Sequence, residues 1–164
     1  MTLELSTFGW FHTAISVLAL LSGLVVLAGL LIGKARPALS AIYFTAAVVA
    51  SATGFGFLAG GFGIAHKIGV ASLVVLLLAI VARYVFALRG MWRSVYAVTV
   101  VLSVWFFVFF TISESFKRLP ALKAMAPTLS EEPFKFAQLG ALLLFVGLAL
   151  VSAFTFRRSD DGGR

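Results

Sequence analysis

The chain has 164 residues, of which 62% are hydrophobic and only 12% charged, with a mean hydropathy of +1.10. A water-soluble domain of this composition would have too little polar surface to cover itself, so the class is an integral membrane protein. The net charge of +7 sits mostly as single residues at the ends of apolar runs, as topology charges do, which excludes nucleic acid as a partner; the absence of cysteine excludes disulfides, thiolate zinc sites, iron–sulfur clusters and cysteine nucleophiles.

The first apolar run, about residues 9–33, is too long for a signal-peptide core and is expected to stay as an anchor. Trp10, Phe11 and His12 fall in its first turn, where amphipathic rings favour the membrane interface. Ala19 with Gly23, and Gly29 with Gly33, form small-xxx-small pairs that let a neighbouring helix approach closely. Lys34, Arg36 and Pro37 then make a turn short enough to force an antiparallel hairpin.

Span two, about 38–58, is rich in Ala, Ser and Thr and ends in Thr53-Gly54-Phe55-Gly56-Phe57. The GFGFLAGGFG run that follows lacks GK[ST] and has no preceding strand, so it reads as a close-packed membrane turn rather than a phosphate loop. Span three, about 66–88, is read as one continuous helix with His66 at its start and Arg83, the only charge well inside an apolar run, near its end. Span four, about 92–115, carries the bulky VWFFVFF centre and closes with Ser113 and Glu114.

The connection 117–132 is long enough for a short interfacial helix, with Leu119, Leu122 and Met125 turned to lipid and the whole lying over His12, His66 and Glu114. Ser130 is the expected N-cap of span five, about 133–156, with Glu131 and Glu132 in its first turn. Arg157 and Arg158 stop it. The architecture expected is therefore all-α, with five transmembrane helices: two hairpins forming a four-helix bundle, and a fifth helix alongside.

Counting Lys and Arg by side gives Lys34, Arg36, Arg83, Arg89, Arg93, Arg157, Arg158 and Arg164 against Lys67, Lys117, Arg118, Lys123 and Lys135, together the chain's 13. The excess favours an N-terminus outside and a C-terminus in the cytoplasm.

With that topology His12, His66, Thr53 and Glu114 share the outer end. An offset of about 53–54 residues aligns His12 with His66, Arg36 with Arg89 and Tyr43 with Tyr96, a faint parallel repeat of two hairpins. Two histidines so related can face each other across the bundle and supply axial imidazoles to a b-type haem. The same end could instead hold a quinone or other small ligand, or the histidines could be structural. Arg83 lies about 9 Å of helical rise from Arg89, within snorkelling reach of the interface. Its functional alternative is an anionic group, a lipid phosphate or a haem propionate, although a propionate at that depth conflicts with a haem near the other face.

The run FKRLPALKAMAPTLSEEPF at 116–134, with TGFGF at 53–57 and HKIGVASLVVLLLAIVARY at 66–84, resembles a family of small bacterial multi-pass membrane proteins without an assigned activity. The resemblance implies placement in the bacterial inner membrane and carries over no catalytic residue. No nucleophile–base arrangement and no inverted repeat is legible. The function expected is accordingly non-catalytic: an accessory or structural subunit of a membrane complex, or a homo-oligomer.

Overall fold

The computed structural model describes residues 7–57 and 64–161; most of the glycine-rich turn, residues 58–63, lies outside them. Six α-helices and no strand occur among the described residues: α1 (Thr7–Leu31), α2 (Pro37–Gly54), α3 (Ile64–Ile80), α4 (Trp92–Arg118), α5 (Pro120–Met125) and α6 (Glu132–Asp161). Five of the described helical segments are long and apolar enough to cross a membrane, α3 doing so together with the π-turn that extends it to Val85. The composition demanded this outcome, since a chain in hydrocarbon must satisfy its amides within its own helices.

Local sequence accounts for the helix ends. α1 stops where Gly33 takes a left-handed φ of 71°, and Lys34 N–H returns to Gly29 C=O at 2.8 Å. A Cβ on Gly29 would lie 2.8 Å from the Lys34 carbonyl. The Gly29–Gly33 pair therefore serves its own turn, not a helix crossing. Gly23 is the one that admits a neighbour: a Cβ there would meet Tyr43 Cε2 of α2 at 2.7 Å. Pro37 opens α2, where its fixed φ suits the first turn and its missing N–H costs nothing. α4 ends at Leu119, whose extended backbone (φ −80°, ψ 120°) is what a residue before Pro120 adopts. Lys117 and Arg118 in its last turn complement the helix dipole.

Span three is not one regular helix. α3 gives way at Val81 to a π-turn, Val81–Val85, closed by Phe86 N–H to Val81 C=O at 3.1 Å. Ala87 and Leu88 follow with φ of 47° and 56°, and Leu88 N–H caps Ala82 C=O. Two successive left-handed residues other than glycine are costly. The flat stack of Phe86 on Trp92, 3.8 Å between centroids, packs the turn that contains them.

The N-cap expected of Ser130 is not made. α6 begins at Glu132, and Lys135 N–H bonds to Glu131 C=O, so Glu131 holds the cap position. The Ser130 hydroxyl pairs instead with that of Thr128, and the Glu131 carboxylate turns back to accept from the Thr128 and Ser130 amides. α5 forms within the 117–132 connection and packs on the end of α4, with Leu119 and Met125 exposed.

The helices pack as a ring, α1 on α2, α2 on α3, α3 on α4 and α4 back on α1; α6 lies alongside, against α4 and α1. The core holds Leu30, Tyr43, Leu76, Tyr96, Val100, Val101 and Val104. α6 contributes only a narrow stripe, Phe145, Ser152 and Phe156, spaced seven and four apart so that one helical face is buried. Leu139, Leu143, Leu150 and Phe154 on its other faces are exposed.

Candidate functional site

The polar side chains of the bundle gather at its two ends. At the histidine end, the last turn of α2 lies between α1 and α3. Thr53 is one helical residue from Gly54, and its Oγ1 donates to Val49 C=O at 2.7 Å, with Ala50 C=O at 3.2 Å. Its single hydrogen is thereby used, so toward His12 Nδ1, 2.9 Å away, Thr53 can only accept. Nδ1 therefore carries the proton, and in the neutral ring the lone pair is on Nε2. His12 and Thr53, both read at the same end of the bundle, are thus in hydrogen-bond contact, and the bond fixes a tautomer.

His66 is buried in the first turns of α3, with its ring 5.6 Å from that of Phe55. Phe55 stands in the short 3-10 turn after α2 and seats on Gly69, where a Cβ would come within 3.1 Å of it. Among the described residues the two imidazoles make no contact with each other. Each is packed instead on α2's end, His12 on Thr53 and His66 on Phe55. Glu114 of α4 acts on His12 electrostatically, but its oxygens are taken by Lys117 (2.8 Å) and Arg118 (2.9 Å) one turn along its own helix.

The arginine end is built more tightly. Tyr43 of α2 and Tyr96 of α4 are fully buried and cross the middle of the ring in opposite senses. Ser103 donates to Val100 C=O, so the Tyr43 hydroxyl donates to Ser103 Oγ at 2.6 Å. Ser40 donates to Arg36 C=O, so the Tyr96 hydroxyl donates to Ser40 Oγ at 2.9 Å. Tyr96 in turn accepts from Arg83 Nη1 at 3.3 Å. The result is a directed chain, Arg83 to Tyr96 to Ser40 to the Arg36 carbonyl, which ties α3, α4 and α2 together.

Arg83 therefore does more than snorkel. Its guanidinium stands 5.7 Å from the Tyr84 ring and 5.5 Å from the Tyr96 ring, within cation–π range. Ser40 is three residues inside Pro37, about 4.5 Å of rise, and this sets Arg83 at the depth of the first helical turn. Arg93 holds the other side of the same end, donating to Phe156 C=O at 3.0 Å and lying 4.4 Å over that ring.

The sequence reading aligned Tyr43 with Tyr96 but did not pair either with a serine. The available signal was the phenol itself, since a tyrosine buried in an apolar span must find an acceptor. Nothing local says which, because the partners are 60 and 56 residues away. Among the described residues there is no group of three or more His, Asp or Glu side chains placed to hold a metal. Comparison with known protein families, curated proteins and solved structures finds no match to this chain.

Proposed function

We propose that this chain is a non-catalytic subunit of a bacterial inner-membrane assembly, either a complex or a homo-oligomer, with its N-terminus outside and its C-terminus in the cytoplasm. One observation supports it most: four polar pairs among the described residues join neighbouring or facing helices directly. Tyr43 with Ser103, Tyr96 with Ser40, Thr53 with His12 and Gln138 with Ser113 each join two helices. A reaction site needs polar groups aimed at a space a substrate can enter. Here they serve as inter-helix fasteners, while α6 turns a long apolar face outward.

The orientation rests on the larger number of Lys and Arg at the arginine end, and the inner-membrane assignment on the resemblance of residues 116–134 to a bacterial family. Purification in mild detergent followed by native mass spectrometry tests the reading: a complex or an oligomer is expected, and a lone monomer with no co-purifying protein overturns it. Alkaline phosphatase and green fluorescent protein fused after Arg158 test the orientation. Fluorescence with no phosphatase activity is expected.

A further inference from the structure

We propose that Arg83 and the groove between α2 and α3 form a binding site for an anionic phospholipid, whose phosphate sits on the guanidinium and whose acyl chain lies in the groove. Three observations converge on this.

The first is an unanswered charge. Arg83 is half-buried at a span's end, and its partners are one phenol oxygen and two aromatic rings. No carboxylate pairs with it among the described residues. The acidic side chains that are described, Glu114, Glu131 and Glu132, all lie at the opposite end. A guanidinium offers five donors in a planar fork, and the Tyr96 hydroxyl takes one. The remainder suit the oxygens of a phosphate, which a guanidinium can engage bidentately.

The second is the adjoining space. A groove of about 360 Å³ runs between α2 and α3, lined by Phe44, Thr45, Val48, Val49, Ile80 and Tyr84. Its walls are almost wholly apolar, so a hydrocarbon chain costs nothing to desolvate there. Tyr84 belongs to both features, lining the groove and stacking beside Arg83. Phe44 lies edge-on to Tyr84 at 6.4 Å and to Tyr96 at 6.2 Å, so the groove ends at the arginine.

The third is the backbone. The π-turn that carries Arg83 adds a residue to the helical repeat and swings the side chain toward α4 and Tyr96. π-turns recur at functional positions, because their insertion costs helix regularity and persists only where something is gained. Exposed Lys34, Arg36 and Arg89 at the same end extend the positive field around the headgroup. The occupant that matches a charged fork at the interface and an apolar trough beneath it is a lipid.

The test uses the full chain, delipidated in mild detergent and titrated by native mass spectrometry with dioleoyl phosphatidylglycerol, dioleoyl phosphatidylcholine or inorganic phosphate. Tighter binding of phosphatidylglycerol than of phosphatidylcholine is expected, with no retained inorganic phosphate. Arg83→Gln removes a charged donor and should weaken phosphatidylglycerol binding about tenfold. Arg83→Lys keeps the charge without the fork and should lose less. Val48→Trp fills the trough while leaving Arg83 in place, and should also weaken binding; it carries the test alone if the glutamine variant does not fold. Equal affinity for the two lipids, competition by inorganic phosphate, or unchanged binding in Val48→Trp overturns the proposal.

Discussion

The Tyr43 hydroxyl donates to Ser103 Oγ across 2.6 Å, joining the diagonal helices α2 and α4 where both side chains are fully buried. The two ways of breaking this bond are not equivalent. Tyr43→Phe removes the donor and leaves Ser103 with its helix carbonyl, so it should cost about 0.5–1.5 kcal/mol, as inter-helix bonds in membranes do. Ser103→Ala strands a buried phenol and should cost more, about 1–3 kcal/mol. Reversible unfolding in mixed micelles compares them, and an equal or inverted order would mean that the phenol finds another acceptor.

Gly23 gives a second measure of the same contact. A methyl group there meets the Tyr43 ring at 2.7 Å and Val104 at 2.9 Å, so Gly23→Ala should destabilise by roughly 1–3 kcal/mol through overpacking. Gly140→Ala, where nothing lies within 4 Å, should be neutral or stabilising by a few tenths of a kcal/mol, because alanine is the better helix former. The pair is read in the same unfolding assay, and a harmless Gly23→Ala would show that α1 and α2 can slide apart without penalty.

His12 should be found protonated at Nδ1 when neutral. Nitrogen-15 shifts of the histidine ring in nanodiscs report this directly, and Thr53→Val should release the ring to a mixture of tautomers.

Glu131 provides a pH-dependent readout outside the membrane spans. Desolvation, the largest single influence, pushes its carboxyl up, but hydrogen bonds from the Thr128 hydroxyl and from the Glu131, Thr128 and Ser130 amides together outweigh it and hold the carboxyl below its ordinary 4.5. A depressed folded-state value means that the ordering it supplies is complete above the unfolded value and is lost as pH falls through the folded one. Protection of the Thr128 and Ser130 amides, corrected for intrinsic exchange, should therefore hold at neutral pH and fall only below about 4.5. Glu131→Gln should show weakened protection at every pH.

The five spans were legible because apolar length alone specifies them, and their observed ends fall within a few residues of those read from charges, glycines and prolines. Arg83, His12 and His66 were legible as unusual because a polar side chain in an apolar run is costly wherever it points. What each one touches was not. The π-turn at Val81–Val85 contains no glycine or proline, and its left-handed residues are Ala87 and Leu88, which carry no turn signal. Its tertiary contacts, Arg83 with Tyr96 and Phe86 with Trp92, lie on the next helix, where no local pattern announces them. The Ser130 cap failed for a related reason, since its hydroxyl is taken by Thr128 and the first helical amide bond goes to the Glu131 carbonyl.

Because Ser103 follows Tyr43 by 60 residues, the finished bond has a history. At about 5–20 residues synthesised per second, α2 exists for roughly 3–12 s before its acceptor does. During that interval the first hairpin carries a phenol with no serine to receive it, and a hydroxyl abandoned in hydrocarbon is costly. The nascent hairpin must keep Tyr43 at a wet surface or against the insertion machinery until α4 arrives. Closing this bond thus waits on α4, a step in assembly set by one tyrosine.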